Sequence, residues 1–296
     1  MLALRNIVSS GTIRLSLGPH PDRARQDAET LLLHVLGATP GKDKVWLMAH
    51  SEEQLPAGEA SRYTELLERR YRGEPIQYIT GETEFYGLLF RVTPDVLIPR
   101  PETEHLVEKV LELAARFQAP RIADVGVGAG AIAVALAHHL PHAAITAIDL
   151  SAPALSIARQ NAERNRVSHR IRFLEGDLLA PVAPVAPVAP TEETRIEIVV
   201  SNPPYVPPND RASLAVEIRD YEPALALFGG HDGLAIYRRL IPAAFAALIP
   251  GGFVALEIGY AQSPAIAELL ATSGFRQIEF IPDLQSILRV ACAQRP

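Results

Sequence analysis

Five consecutive residues, Ser201-Asn202-Pro203-Pro204-Tyr205, carry the strongest chemical signal in this 296-residue chain. They follow the apolar run from Ile196 to Val200, which reads as a buried strand. Each proline fixes its own φ and disfavours helical geometry in the residue before it, so Asn202 and Pro203 are held extended. Prolines lack an N–H, which leaves the Pro203 carbonyl without a neighbouring donor to satisfy. The motif thus offers two rigid acceptors, the Asn202 side-chain oxygen and the Pro203 carbonyl, and a flat ring at Tyr205. Two acceptors beside a flat surface suit a planar NH₂ group. Such a nitrogen is a poor nucleophile because its lone pair is delocalised, and gripping both hydrogens aims it at an electrophile such as a methyl group. The alternative is a proline turn with a purely structural role.

A second set of residues describes a nucleoside pocket. Gly126-Val127-Gly128-Ala129-Gly130 joins the strand reading "RIADVG" to a helix, and glycines there let a backbone approach a ligand at the helix N-terminus. The spacing is G-x-G-x-G with Asp124 just before it, unlike the G-x-G-x-x-G of dinucleotide dehydrogenases. Asp149 closes the next strand, where a carboxylate can accept from ribose hydroxyls. It can also be read as a helix N-cap, in competition with Ser151. Asp177, followed by Leu178, closes a third strand. Three such features at successive strand ends place a nucleoside at the carboxyl edge of a sheet. A nucleoside cofactor carrying an electrophilic methyl is S-adenosyl-L-methionine, and there the two sets of residues meet.

The elements that must position these residues are legible from periodicity. Residues 1–75 read as helical; Ala28, Leu31, Leu32, Val35 and Leu36 share one helical face, with Gly37 as a stop. Residues 76–95 read as a β-hairpin or linker, because the period changes and Gly81 and Gly87 appear among aromatic and β-branched residues. Within 96–296, strands and helices alternate from Arg121 onward, which predicts a mostly parallel sheet covered on both faces. Two strands close together near the C-terminus predict an antiparallel pair. Residues 180–194 hold a proline-alanine-valine repeat, read as a surface insertion of polyproline type.

Composition excludes several classes. The net charge is −6 with 21% charged residues, which opposes a protein whose main business is wrapping nucleic acid. The single cysteine, Cys292, excludes an internal disulfide and a cysteine-based zinc site. No apolar run approaches the roughly 20 residues of a membrane span. The first 21 residues carry Arg5 and Arg14 and no acid, a pattern shared by transit peptides and by an opening helix. His138, His139 and His142 close a helix and its exit, where cations suit the helix dipole, so no metal site is expected. The pairs Arg69-Arg70 and Arg238-Arg239 read as solvated helix faces.

With these residues in view, the chain resembles the glutamine methyltransferases that modify bacterial peptide-chain release factors, and their mitochondrial relatives. The resemblance covers almost the whole chain. It is carried by "RRYRGEPIQYITGETEFYGLLFRVTPDVLIPRPETEHLV" (69–107) and by "SNPPYVPP"; "NPPY" alone is shared with enzymes that methylate DNA adenine. It implies a Rossmann-like α/β fold, a seven-stranded class I methyltransferase domain with a C-terminal antiparallel hairpin, preceded by a small helical domain that recognises the partner. It implies that Gly126, Val127, Gly128, Ala129 and Gly130 cradle S-adenosyl-L-methionine, that Asp149 holds its ribose, and that Asp177 and Leu178 flank its adenine. Asn202, Pro203, Pro204 and Tyr205 would grip a substrate glutamine, Asn202 also bordering the cofactor, and "IPRPETE" would lie over it. The implied partner is the Gly-Gly-Gln motif of release factors, in the cytoplasm, with a monomeric enzyme, no nucleic-acid binding and no membrane.

Three features depart from the family pattern. Val127 and Ala129 replace the usual hydroxyl residues between the glycines, Leu178 stands where an aromatic is sometimes found, and the proline-rich insertion is additional. A ribosomal-protein glutamine methyltransferase shares much of the motif set and stays open here. A DNA adenine methyltransferase would need basic surface, a nicotinamide oxidoreductase a different glycine spacing, and a catalytically idle binding module leaves "NPPY" unexplained.

Overall fold

The computed structural model describes residues 3–37, 43–182 and 196–296. Most of the proline-rich insertion therefore lies outside the described residues. The chain divides into two compact units, one of Met1–Gly81 with Leu214–Tyr221, the other of Glu82–Ser213 with Glu222–Pro296.

The first unit is helical. It contains α1 (Leu4–Ser16), α2 (Ala24–Val35), α3 (Lys44–Ala49), α4 (Ala57–Tyr71) and α5 (Ile76–Thr80). The buried face of α2 runs through Ala28, Leu31, Leu32 and Val35 as the spacing predicts, and Gly37 ends it at φ +84. Asp43 caps α3, its Oδ1 accepting from the Trp46 N–H at 2.8 Å. The segment read as a hairpin or linker opens with α5, closed by Gly81 in the left-handed region. A further helix, α9 (Val216–Tyr221), belongs to this unit although the sequence on both sides of it belongs to the other.

One expectation is corrected here. Arg70 is not on a solvated face: it is 2% exposed, and its Nε donates to Asp27 Oδ2 at 2.6 Å. Its Nη1 donates to Glu217 Oε2 of α9 at 2.9 Å and to the Glu74 carbonyl. Position 70 follows Leu66 and Leu67 by one helical turn, so it falls on the apolar stripe of α4. A charge there survives because a fork of guanidinium donors meets carboxylates from two other helices.

The second unit opens with the hairpin β1 (Glu82–Phe85) and β2 (Leu88–Arg91), then α6 (Thr103–Ala114). The α/β part follows: β3 (Arg121–Val125), α7 (Ala131–His139), β4 (Ala144–Asp149), α8 (Ala152–Arg164), β5 (Ile171–Glu175), β6 (Ile196–Ser201), α10 (Ala224–Leu227), α11 (Ala235–Ala247), β7 (Leu248–Glu257), α12 (Ser263–Thr272), β8 (Arg276–Pro282) and β9 (Leu288–Gln294). The seven strands of the large sheet run in the order β5-β4-β3-β6-β7-β9-β8. The first five are parallel, and β9 pairs antiparallel with both β7 and β8.

Side chains alternate between two cores, as the two-residue period of a strand requires. Ile122, Ile198, Val200 and Ala255 face α6, α7 and α8. Ala123, Val199, Val254 and Leu256 face α11 and α12. Strands covered on both faces read as unbroken apolar runs, which is why Ile198 to Val200 and Phe253 to Leu256 lack polar interruptions.

Replacing Arg70 with Met should destabilise the helical unit by about 3–5 kcal/mol, because Asp27 is left buried and unpaired. Adding Asp27→Leu should recover most of that loss. Denaturation followed by the fluorescence of Trp46, the single tryptophan, would measure both; a single variant as stable as the wild type would contradict the buried pair.

Candidate active site

The order of the strands fixes where a site can form. The chain runs from β3 outward through β4 to β5, then returns to lay β6 on the other side of β3. At this reversal the loops leaving β3 and β6 diverge and open a crevice at the carboxyl edge. The register pairs Asp124 with Val200, so the glycine loop and Asn202 leave the sheet side by side. Further pairings, Val125 with Ile148, Asp149 with Glu175 and Ser201 with Leu256, put the carboxyl ends of five parallel strands in one row.

A cavity of about 250 Å³ lies over this row. One water needs only about 10–15 Å³ of such space, so the cavity has room for far more than a single water. One wall is the loop from Gly126 to Ala129 with Ala131 and Ile132 of α7; a second holds Ile148 to Ser151; a third Gly176, Asp177 and Leu178. Ser201 to Pro204 close the opposite side, with Pro99, Arg100 and Thr103 beside them. All these residues belong to the second unit.

The glycine loop needs its glycines. Gly126, Gly128 and Gly130 have φ of +76, +52 and +85, a region in which other residues are strained. Beyond Gly130 the first turn of α7 presents N–H groups that no helical carbonyl can reach. The loop is braced from two sides. Asn161 of α8, fully buried, donates to the Ala129 carbonyl at 2.8 Å and holds the Arg91 backbone with both ends of its amide. Asp149 Oδ2 accepts from the Gly128 N–H at 2.8 Å, and its Oδ1 from the Ser151 N–H. Ser151, not Asp149, caps α8. Burial raises the Asp149 carboxyl above its ordinary value against these hydrogen bonds.

The remaining sequence-derived residues fall as follows. Val127 and Ala129 line the cavity through backbone and aliphatic side chains, offering no hydroxyl. Asp177 lines it too, and its carboxylate pairs with Arg239 of α11. Leu178 follows with φ +52. Asn202, Pro203 and Pro204 are on the wall. Tyr205 is not: its hydroxyl is turned to Glu257 Oε1 at 3.4 Å, and its carbonyl accepts from Gln262. Of the "IPRPETE" segment, Pro99, Arg100 and Thr103 reach the cavity, and Arg100 forms an ion pair with Glu222. Arg238 pairs with Asp232 on the surface, as Arg239 does with Asp177.

Two buried carboxyls escaped the sequence reading or were read only in passing. Asp124, 0% exposed, accepts from the Ala133 N–H at 3.0 Å, and its other oxygen has no partner among the described residues. Burial pushes it up to about 7, the charge of Asp149 adding to the effect. Glu257, 2% exposed, ends β7. It too is pushed up to about 7 by burial, against a hydrogen bond from Thr103 and the charge of Arg289. A carboxylate closing a buried strand was the signal that identified Asp149; the same signal in "FVALEIG" identifies Glu257.

The residues present fit a nucleoside cofactor: a glycine loop with left-handed backbone at a helix N-terminus, and a carboxylate on the next strand. Among the described residues no group of His, Cys, Asp and Glu is arranged to hold a metal.

Comparison with known proteins agrees with this geometry. Residues 13–81 match the family model described as PrmC N-terminal domain, and residues 102–218 match Methyltransferase small domain. A protein of Koribacter versatilis named release factor glutamine methyltransferase is 41% identical over 92% of this chain and 91% of its own length. One of the same name from Moorella thermoacetica is 41% identical over 95% of both chains, and one from Deinococcus radiodurans 40% over 99% of both. Among solved structures, the hMettl16 catalytic domain in complex with MAT2A 3′UTR hairpin 6 aligns with a TM-score of 0.57 at 16% identity, over 87% of this chain and 94% of that one. That likeness shows the fold alone.

The Asp124 carboxyl titrates at about 7 in the folded protein, against about 3.9 in an unfolded chain. The folded state therefore holds the proton across that window, and the associated stability, full below about pH 4, is lost as pH rises through 7. Between pH 6 and pH 8 this loss is about 1 kcal/mol. Asp124→Asn keeps an acceptor for Ala133 without the charge, so its melting temperature should fall less than the wild type's over that interval. Equal falls would place the ionisation elsewhere.

Proposed function

The chain belongs to the release factor glutamine methyltransferase family, and from this premise we propose that it methylates the side-chain amide nitrogen of the glutamine in the Gly-Gly-Gln motif of a peptide chain release factor. The observation that carries the reading is the meeting, in one cavity, of the glycine-loop wall with Asn202 and Pro203. One side suits a nucleoside and the other a planar NH₂.

S-adenosyl-L-methionine, the methyl donor of this family, supplies an electrophilic methyl on a positively charged sulfur. The glycine loop and the first turn of α7 would hold it by backbone donors, Asp149 would accept from its ribose, and Gly176 to Leu178 would border its base. Aliphatic Val127 and Ala129 leave the backbone contacts intact. Asn202 Oδ1 and the Pro203 carbonyl would accept the two amide hydrogens of the glutamine, fixing the direction of attack. Most of the rate advantage then comes from orientation of an otherwise weak nucleophile. Tyr205 supports the loop through Glu257 rather than stacking on the cavity wall.

We assign partner recognition to the helical unit, none of whose described residues lines the cavity. The acidic balance of the chain supports a protein substrate over a nucleic acid. We read the enzyme as a monomer. No helix among the described residues is long and apolar enough to cross a membrane, and a release factor substrate supports a cytoplasmic enzyme.

Mass spectrometry of a release factor after incubation with enzyme and S-adenosyl-L-methionine should find one added methyl on the Gly-Gly-Gln glutamine. Methylation of a ribosomal protein instead would redirect the assignment of the substrate.

Asn202→Ala should lower single-turnover methylation by about 10²–10³, the scale of losing one preorganised hydrogen-bond partner. Calorimetry should show its cofactor affinity little changed. Asp149→Ala should behave in the opposite way, weakening the cofactor by about 10- to 150-fold through loss of a charge-assisted hydrogen bond. Near-normal turnover in the first variant would reduce "NPPY" to a rigid strand end.

A further inference from the structure

Asn202 can grip an N–H only if its amide oxygen, not its nitrogen, faces the cavity. An amide is nearly symmetric in shape, so the direction has to be imposed by neighbours. Behind Asn202 lies a buried chain of hydrogen bonds. The Asn202 Nδ2 donates to Thr103 Oγ1 at 3.1 Å, and the Thr103 hydroxyl donates to Glu257 Oε2 at 2.6 Å. Both Thr103 and Glu257 are buried. The Tyr205 hydroxyl reaches the second oxygen of the same carboxylate, and the Tyr237 hydroxyl donates to the Glu257 carbonyl at 2.7 Å, anchoring the end of β7.

The order of donors in this chain follows from the charge at its far end. An ionised carboxylate only accepts. Thr103 has one hydroxyl proton, and Glu257 takes it. Toward Asn202 the Thr103 oxygen then has lone pairs alone, so Asn202 must present its NH₂ to Thr103 and turn Oδ1 the other way. Period-two geometry makes the contact possible: Ala255 and Val200 face the α6 side of the sheet, and Glu257 and Asn202 follow each of them by two residues.

We propose that Glu257 and Thr103 are positioning residues that orient the Asn202 amide, and that they thereby select a substrate side chain bearing N–H, a glutamine, over the otherwise similar carboxylate of glutamate. A reversed amide would offer hydrogens to the cavity and welcome a carboxylate. The inference rests on the glutamine methyltransferase reading and adds to it the device that sets acceptor polarity. Thr103 lies in the "IPRPETE" segment, which thus acts on the substrate side of the cavity as well as bordering it.

The test is a double-mutant cycle at pH 8.5, where Glu257 is ionised, using full-length enzyme, S-adenosyl-L-methionine and a Gly-Gly-Gln peptide. Thr103→Val should lower single-turnover methylation by about 10- to 100-fold, the cost of a misaligned reacting group, with cofactor affinity by calorimetry unchanged. Thr103→Ser, which restores the hydroxyl, should recover most of the rate. In the Asn202→Ala background, Thr103→Val should have almost no further effect. The wild type's preference for binding the glutamine peptide over its glutamate counterpart should narrow in Thr103→Val. Glu257→Gln, whose amide can donate to Thr103 and free its proton, provides a second variant that should show the same loss and the same non-additivity.

Effects of Thr103→Val and Asn202→Ala that multiply, an unchanged rate, or loss of cofactor binding in both Thr103→Val and Glu257→Gln would overturn the positioning role while leaving the functional reading in place. A wild-type enzyme that adds no methyl to the glutamine would overturn both.

Discussion

Parallel pairing of β3 with β4 on one side and β6 on the other is the constraint from which the site follows. Parallel strands all point their carboxyl ends the same way, so five strands deliver five chain segments to one edge. Reversal of strand order at β3 and β6 separates the first and fourth of these segments and leaves room between them. The glycine loop, Asp149, Gly176 to Leu178, Asn202 and Glu257 are widely spaced in sequence and neighbours here for that single reason. Beyond β7 the chain crosses over through α12 to β8 at the far edge, and β9 then fills the gap as a strand antiparallel to both.

Charge is buried in this protein where it holds something in place. Asp124 ties the start of α7 to the end of β3 through the Ala133 N–H. Glu257 collects Thr103 and Tyr205 from two separate segments. Both carboxyls are raised by burial toward neutrality, the physical mark of a desolvation cost incompletely offset. Arg70 is the counterpart in the helical unit, with its charge met by Asp27 and Glu217. Such groups contribute little net stability compared with apolar packing, and their value lies in fixing one arrangement of the parts they join.

The path of the chain after "NPPY" is the least expected feature. Having formed the side of the cavity lined by Asn202, Pro203 and Pro204, the chain leaves the α/β unit at Ser213, forms α9 within the helical unit, and returns at Glu222. Inside the helical unit α9 is held by Arg70 and by Tyr221, whose hydroxyl donates to the Arg72 carbonyl. Immediately on its return, Glu222 pairs with Arg100, and Pro223, Leu225 and Ala226 reach the cavity. A single covalent segment thus serves both units.

Local chemistry was enough to determine much of this protein. Apolar periodicity marked the helical character of residues 1–75 and the alternation of the second unit, since a two- or 3.6-residue period is a property of the chain itself. Prolines and glycines determined the backbone at Asn202 and in the glycine loop, because φ is restricted or freed within the residue. Tertiary structure alone decided the rest. Arg70 looked like half of a solvated pair until Asp27 and Glu217, distant in sequence, were brought to it. The partner of the Tyr205 hydroxyl, Glu257, is 52 residues further along the chain. The direction of the Asn202 amide is set by Thr103 and Glu257, from an early helix and a late strand. A hydrogen-bond partner far along the chain leaves no trace in local periodicity; only the folded register brings donor and acceptor within reach.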